Sequence, residues 1–413
     1  MDNNIRNIVR DFRAASALTV EAIKGTAGVV EAMQEPHTRV LARFVPPVAL
    51  IQTFVSKLSF GTFRGVTHLT GQLIDRTLTP LEPLAGANAS TRGLDATLAI
   101  LNGVVGDQLE RTGSPLAIRM ELRAGGRPLP LVPGALAEAI PNATSKPMVV
   151  VHGSCLDESR WMQSSQGQLA SMASKLGYTL VFLRYNTGRH ISTNGAELAD
   201  LLELLAAAWP TSVEQFALLG HSMGGLVARA ACRTGEARDH RWRARLAKLV
   251  CVGSPHLGAP YERLGNWVDV TLAISPFSSP LARLGKIRSA GVTDLRHGSV
   301  SEEDGNADDR FARRPPPPVV PLPAGVECFS LAASLSKKTE AKLRSDGLVP
   351  VNSALGRGDS PERTLGFAPS HRAIVFETGH LGLLSSPEVY ATLEQWLGSN
   401  EDFSERDATE RAR

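Results

Sequence analysis

The chain has 413 residues, of which 43% are hydrophobic and 21% charged, a composition typical of a globular protein with a large core. Its net charge of +3 does not favour a nucleic-acid partner, because such proteins usually concentrate lysine and arginine on one face. The N-terminus lacks the apolar run of a signal peptide, and no segment approaches the roughly 20 apolar residues that span a bilayer. The four cysteines lack the close spacing of a metal or redox motif. We therefore expect a cytoplasmic protein.

Residues 1–110 predict a helical N-terminal region. Apolar residues between Ile5 and Val30 fall near helical spacing, and further helices are expected over 48–58, 66–78 and 91–105. Ten basic residues balance ten acidic ones, so the region is neutral. One interpretation is packing on the rest of the chain or on a second copy. The alternative is peripheral contact with a membrane or lipid surface, although interfacial helices usually carry a more basic polar face. The oligomeric state is left open.

After residue 115 the pattern becomes one of strands and helices in alternation. A hairpin is expected around Gly125-Gly126, between apolar segments at 116–122 and 129–132. Further strands are predicted at 148–151, 179–185, 215–219, 247–252, 326–332 and 373–377, and helices at 160–176, 195–209, 223–232 and 387–397. This alternation predicts an α/β fold with a mainly parallel sheet flanked by helices.

The alternation breaks between Tyr261 and Gly325, where scattered apolar residues, an acidic patch and a proline run replace it. A long insertion between two core strands suits a cap over an active site. We therefore predict a catalytic domain over 111–398 with a cap at about 261–325, and a disordered tail over 399–413.

The strongest chemical signal is the motif Gly220-His221-Ser222-Met223-Gly224. It follows an apolar strand and precedes a helix, which is the context that gives Gly-x-Ser-x-Gly its meaning. A nucleophile on such a sharp turn needs small residues two positions before and after it. Ser222 is therefore the predicted nucleophile. His221 is interpreted as a packing residue that points away from the pocket.

A serine hydroxyl needs a base to take its proton, and that base should follow it in the chain. His380 is the candidate, because it lies in a small-residue loop after the strand at 373–377. The carboxyl ends of such strands are where these sheets gather their chemistry. His371 is the runner-up, but it precedes the strand and so belongs to the opposite edge of the sheet.

Asp346 is the predicted acid that orients the histidine. It follows the strand at 326–332, and Gly347 permits a tight bend that aims the carboxylate inward. Glu377 is an alternative, although its closeness to His380 disfavours a productive geometry. Three competitors belong to the charged insertion and are expected to be solvated: Asp304, Asp308 and Asp309.

An oxyanion formed during acyl transfer needs preorganised hydrogen-bond donors. The backbone N–H of Met223, directly after the nucleophile, is one predicted donor. The other is the backbone N–H of Ser154, in the loop after the strand at 148–151, with Cys155 as the alternate.

Together with His152-Gly153, Gly253-Ser254-Pro255-His256-Leu257-Gly258-Ala259-Pro260 and Ser345-Asp346-Gly347, these motifs give residues 115–398 a family resemblance. The sequence resembles α/β-hydrolase lipases and esterases, in particular bacterial triacylglycerol lipases and the lipase-like domain of the GPI inositol-deacylase group. The resemblance implies an α/β-hydrolase fold, hydrolysis of carboxylic esters that are often lipid esters, and no organic cofactor. We expect no metal, since the acidic residues at 302–309 lack the glycine spacing of a calcium loop.

The predicted function is hydrolysis of a carboxylic ester, from a small molecule or a lipid, through Ser222, His380 and Asp346 and an acyl-enzyme. An acyltransferase or a thioesterase could use the same three residues. A different class of protein is a lipid-surface or protein-binding scaffold whose catalytic residues are vestigial, which the N-terminal helices motivate.

Overall fold

The computed structural model describes residues 91–164, 167–259, 289–301, 319–339 and 345–399. The predicted helices before residue 91, most of the predicted cap and all but the first residue of the predicted tail lie outside this described part. The elements in chain order are α1 Thr91–Arg111, β1 Glu121–Ala124, β2 Arg127–Pro128, α2 Pro133–Ala139, β3 Pro147–Val151, α3 Ser159–Ser164, α4 Gln168–Lys175, β4 Thr179–Arg184, α5 Ile191–Ala208, β5 Phe216–His221, α6 Met223–Ala237, β6 Leu246–Val252, α7 Ala290–His297, β7 Glu327–Ala333, α8 Val351–Ala354, β8 Arg372–Val375 and α9 Pro387–Gly398.

One sheet of eight strands runs in the order β2-β1-β4-β3-β5-β6-β7-β8. The six strands from β4 to β8 in this order are parallel, and the hairpin β1–β2 adds two antiparallel strands at one edge. Gly125 and Gly126 form the hairpin turn with positive φ values of 56° and 77°, which glycine adopts without steric cost. The predicted α/β fold with a mainly parallel sheet is confirmed.

The central strands are mostly apolar because helices cover both faces of the sheet. Every residue of β3, β5 and β6 is buried. On one face Val149 and Val151 pack under α5 and α6, and on the other Met148 and Val150 pack under α4 and α9. Successive residues of a strand therefore belong to opposite cores, and burial on both sides fixes the register.

Four predicted helices differ from the structure, and two of them are only longer: α1 ends at Arg111 rather than at 105, and α6 ends at Ala237 rather than at 232. The single helix expected over 160–176 is two helices, α3 and α4, and α4 begins after Gly167, whose φ is 82°. A positive φ cannot continue a right-handed helix, so the chain turns there. Helix α5 begins at Ile191, four residues before the predicted start, and the Asp294 carboxylate accepts a hydrogen bond from the Ile191 N–H at 2.8 Å. This acceptor is about a hundred residues away in the chain and has no local sequence signal.

Helix α1 belongs to the predicted N-terminal region but packs on the α/β core. Its residues Ile100, Leu101, Val104 and Leu109 form a buried cluster with Cys155, which follows β3. A non-helical Val105, with φ −133° and ψ 16°, kinks the helix. The boundary between the N-terminal region and the catalytic domain stays a prediction, but its last helix is part of the same packed body. Among the described helices, none is long and apolar enough to cross a membrane.

Two glycines let α1 approach the core closely. A Cβ on Gly103 would lie 2.1 Å from the Cys155 Sγ, and one on Gly106 would lie 1.9 Å from the Asn186 Oδ1. The Asn186 Nδ2 donates to the Gly106 carbonyl at 2.9 Å, and the Ser289 Oγ donates to the Gly103 carbonyl at 2.7 Å. Glycine at both positions is therefore required by contact rather than by helix formation.

We expect Gly103→Ala to destabilise the protein by about 1–3 kcal/mol, because the added methyl group overpacks the contact with Cys155. Urea denaturation followed by circular dichroism measures this change. The matched control is Gly134→Ala in α2, where a Cβ meets nothing within 4 Å. Alanine forms helix better than glycine, so the control should be neutral or gain up to about 1 kcal/mol. Equal stability of the two variants would contradict the packing of α1.

Candidate active site

Ser222 occupies the sharp turn between β5 and α6, with φ 56° and ψ −123°. A positive φ is rare for a residue with a side chain and persists only where the surroundings enforce it. The Ser222 N–H donates to the Val252 carbonyl at 2.8 Å, which ties the turn to the end of β6. Ser222 is buried, and its Oγ has no hydrogen-bond partner among the described residues.

The glycines around Ser222 are needed because backbone lies directly against backbone. A Cβ on Gly220 would lie 2.5 Å from the Gly225 nitrogen, and one on Gly224 would lie 2.2 Å from the Val151 carbonyl oxygen. Neither backbone atom can move aside without disturbing the sheet. The small residues that the motif analysis required are thus explained by the geometry of the turn.

His380 and Asp346 lie together beyond the carboxyl ends of the parallel strands. The His380 Nδ1 is 2.7 Å from the Asp346 Oδ2, and both side chains are buried. The His380 N–H also donates to the Asp346 carbonyl at 2.9 Å. The other carboxylate oxygen accepts from the backbone N–H groups of Leu348 at 2.9 Å and Val349 at 2.7 Å. These bonds fix the direction of the carboxylate, which in turn fixes the imidazole.

His371 and Glu377, the alternatives for the base and the acid, make other contacts. His371 sits at the amino end of β8, with its ring centroid 4.1 Å from that of Phe329. Glu377 is exposed, with φ 52°, and its N–H donates to the Ser336 carbonyl at 3.2 Å. The three aspartates of the charged insertion lie outside the described residues: Asp304, Asp308 and Asp309.

The loop after β3 lies against the nucleophile. A Cβ on Gly153, the residue before Ser154, would lie 3.0 Å from the Ser222 Cβ. Among the described residues no hydrogen bond occupies the Ser154 N–H, and the N–H of Met223, the first residue of α6, has no partner within its helix. The Cys155 N–H, the alternate donor, is committed to the Thr187 Oγ1 at 3.1 Å.

An ion pair between the buried Glu158 and the partly buried Arg184 anchors this loop. The Arg184 guanidinium makes two hydrogen bonds to the Glu158 carboxylate, at 3.0 and 2.6 Å, and reaches Asp95 of α1 at 3.3 Å. Burial by itself would raise the pKa of Glu158, but the hydrogen bonds and charge of Arg184 outweigh it and lower that pKa. Glu158 and Arg184 are 26 residues apart in the chain, so no local pattern in the sequence indicates this pair.

One described part of the predicted cap, residues 289–301, lies beside the loop after β4 and the nucleophile turn. A Cβ on Gly291 of α7 would lie 2.2 Å from the Thr187 carbonyl oxygen and 3.3 Å from the Met223 Cε. The Ala259 N–H donates to the Leu295 carbonyl at 3.1 Å. Helix α7 therefore borders the nucleophile turn, while the full extent of the cap stays a prediction.

His221 is buried, as the sequence analysis expected of a packing residue, but it contacts the predicted base directly. Its Nε2 is 3.2 Å from the His380 carbonyl oxygen, and the two ring centroids are 4.9 Å apart. Burial lowers the pKa of His221 well below its usual value, and the charge of His380 lowers it further. The sequence placed His221 beside Ser222 but gave no sign of this second contact.

Comparison of the sequence with known protein families also finds an α/β domain. Residues 142–313 match the sequence model of the family described as the PGAP1-like alpha/beta domain. No curated protein matches the chain. The family match, the strand order and the nucleophile turn agree with the expected resemblance to α/β-hydrolases, a fold that supports ester hydrolysis in general.

Several solved structures are similar at low sequence identity. The mature lipase BlEst2 of Bacillus licheniformis is 19% identical, with 68% of this chain and 98% of that chain covered and a TM-score of 0.40. The esterase Pf2001 of Pyrococcus furiosus is 14% identical, covering 62% and 83%, with a TM-score of 0.37. The α/β-hydrolase MGS-MChE2, from a lagoon-sediment metagenome of Mar Chica in Morocco, is 16% identical, covering 64% and 93%, with a TM-score of 0.35.

Three histidines in and around the site are fully buried with lowered pKa values: His152, His221 and His256. Burial is the largest cause for each. In the unfolded chain all three take up protons below the ordinary value of 6.5, whereas in the folded state they stay neutral. Their contribution to stability is therefore complete above pH 6.5 and is lost as the pH falls towards the lower folded-state values.

We expect the free energy of unfolding to fall between pH 7.5 and pH 5.5, because the unfolded chain takes up protons on these histidines while the folded chain resists them, at a cost of at most about 1.4 kcal/mol per histidine and pH unit below 6.5. Urea denaturation at the two pH values measures this difference. The variant His256→Gln should reduce the pH dependence, whatever its effect at pH 7.5. Equal stability at the two pH values would show that these histidines do not remain neutral in the folded protein.

Proposed function

We propose that the protein is a serine hydrolase that cleaves carboxylic esters, with a lipid or other acyl ester as substrate. The observation that carries the proposal is the buried pair of His380 and Asp346, whose Nδ1 and Oδ2 atoms are 2.7 Å apart. The pair and the strained turn of Ser222 both lie at the carboxyl ends of the parallel strands. A carboxylate that orients a histidine near a serine on such a turn is the arrangement that activates a hydroxyl for acyl transfer.

In the proposed reaction the Ser222 Oγ attacks the ester carbonyl carbon while the His380 Nε2 takes the hydroxyl proton. The carbonyl π electrons move onto oxygen, and the resulting oxyanion is stabilised by the N–H groups of Ser154 and Met223. The tetrahedral intermediate then expels the alcohol, which receives the proton from His380. A water molecule attacks the acyl-enzyme by the same steps, which releases the acid and restores Ser222.

Asp346 has a positioning and electrostatic role in this scheme. It accepts the Nδ1–H of His380, which leaves the Nε2 lone pair to act as the base. When His380 becomes a cation, the carboxylate stabilises it across the 2.7 Å contact. The bonds from the Leu348 and Val349 N–H groups prevent the carboxylate from turning away.

The first experiment compares hydrolysis of p-nitrophenyl esters, from acetate to palmitate, by the wild type and Ser222→Ala. We expect the substitution to remove activity on every chain length, because no other group supplies the nucleophile. The control Ser174→Ala changes an exposed serine of α4 and should retain wild-type rates. Preference for short acyl chains would define an esterase and preference for long chains a lipase.

Folded wild type that is inactive on all chain lengths would contradict the proposal as stated. Activity confined to acyl-CoA would indicate a thioesterase, and product that appears only with an added alcohol acceptor would indicate an acyltransferase. Liposome binding that Ser222→Ala leaves unchanged, without any turnover, would favour the scaffold interpretation.

We expect Asp346→Asn to lower kcat by about 10⁴-fold with KM little changed, because the amide leaves His380 in the wrong tautomer. The variant nearly preserves the shape of the side chain, so circular dichroism should confirm an intact fold. The same substitution at exposed Asp359 is the control and should have no effect. A loss of less than tenfold in Asp346→Asn would exclude Asp346 as the residue that orients the base.

A further inference from the structure

His221 makes a direct link between the nucleophile turn and the loop that carries the base. It is the last residue of β5, directly before Ser222, and it is fully buried. Its Nε2 lies 3.2 Å from the His380 carbonyl oxygen. A carbonyl oxygen can only accept, so the Nε2 carries the hydrogen and donates it. The Nδ1 then holds a lone pair, and it has no hydrogen-bond partner among the described residues.

The contacts of His380 with Asp346 do not by themselves place the base against the nucleophile. Both the bond to the Asp346 carboxylate and the bond to the Asp346 carbonyl come from the loop after β7. Strands β6 and β7 separate β5 from β8, so no ladder hydrogen bond joins the Ser222 turn to the strand that leads to His380. The bond from His221 crosses this gap.

We infer that His221 is a positioning residue, which sets His380 in register with Ser222 by donating its Nε2–H to the His380 carbonyl and by ring contact. The inference rests on the proposed function, since it concerns the base of that reaction. A phenylalanine could fill the same space without leaving a buried nitrogen unpartnered, so filling the core does not account for a histidine here. Because burial lowers the pKa of His221, its ring is neutral and does not repel the cation that His380 becomes.

The test measures the second-order rate constant with which an alkyl fluorophosphonate labels Ser222. In this reaction the Ser222 Oγ forms a bond to phosphorus, fluoride leaves, and His380 takes the hydroxyl proton. The rate therefore depends on the position of the base but not on product release. Steady-state kcat and KM on the best p-nitrophenyl ester are measured in parallel.

Two amide substitutions separate the hydrogen bond from the ring. The amide nitrogen of His221→Gln can reach the position of the Nε2 and donate to the His380 carbonyl, whereas the shorter side chain of His221→Asn cannot. We expect His221→Asn to label about 10- to 100-fold more slowly, with kcat reduced and KM unchanged, because the base is displaced. The glutamine variant should recover most of that loss. The control is His371→Gln, which lies at the amino end of β8 and should label at the wild-type rate.

The outcomes keep the two proposals apart. Wild type that is not labelled, or a Ser222→Ala variant that is labelled equally, would overturn the serine hydrolase itself. Labelling of wild type and His221→Asn at equal rates would overturn the positioning role alone. Equal losses in the asparagine and glutamine variants would also overturn it, since shape rather than donation would then be responsible.

A measurement on the wild type decides the matter if the asparagine variant does not fold. With ¹⁵N-labelled histidine, nuclear magnetic resonance distinguishes the two neutral tautomers, and the signal absent in His221→Gln identifies His221. A proton on the Nε2 is the result that the inference requires. A proton on the Nδ1, or a charged ring at pH 7, would overturn it.

Discussion

The close approach of backbone to backbone at the Ser222 turn is the constraint on which the rest of the site depends. Gly220 lies against the Gly225 nitrogen, and Gly224 lies against the Val151 carbonyl. The turn is therefore in close contact with the ends of both β3 and β5. The hydrogen bond from the Ser222 N–H to the Val252 carbonyl attaches the turn to the end of β6. A positive φ at a residue with a side chain raises the conformational free energy, and here contacts with the ends of β3, β5 and β6 stabilise it.

Elements outside the sheet then fix the loops that face this turn. Helix α1 presses on Cys155 through Gly103, and the Glu158–Arg184 pair ties the same loop to β4 and to α1. Thr187 accepts the Cys155 N–H and so leaves the neighbouring Ser154 N–H as the available donor. Since an oxyanion donor is effective only when it needs no reorganisation, these supports outside the sheet bear directly on the chemistry that we propose.

Burial also sets the charges of the site. Asp346 and His380 are both buried and face each other at 2.7 Å, so charge that develops on the imidazole meets a carboxylate with little water between them. His152 and His221, also buried nearby, have lowered pKa values and remain neutral. His380 can therefore take up a proton beside Asp346, whereas the rings of His152 and His221 stay neutral and do not compete for that proton.

The sequence by itself determined the α/β architecture, because apolar runs at 148–151 and 249–252, alternating with helical segments, suit strands that are buried on both faces. It also pointed to Ser222, His380 and Asp346, since glycine spacing and position after a strand are local signals. Tertiary structure alone decided the contact of His221 with His380, the early start of α5 at Ile191, and the packing of α1 on the core. Each of these depends on an acceptor, a carboxylate or a surface that is remote in the chain, and such partners leave no periodic or local trace in the sequence.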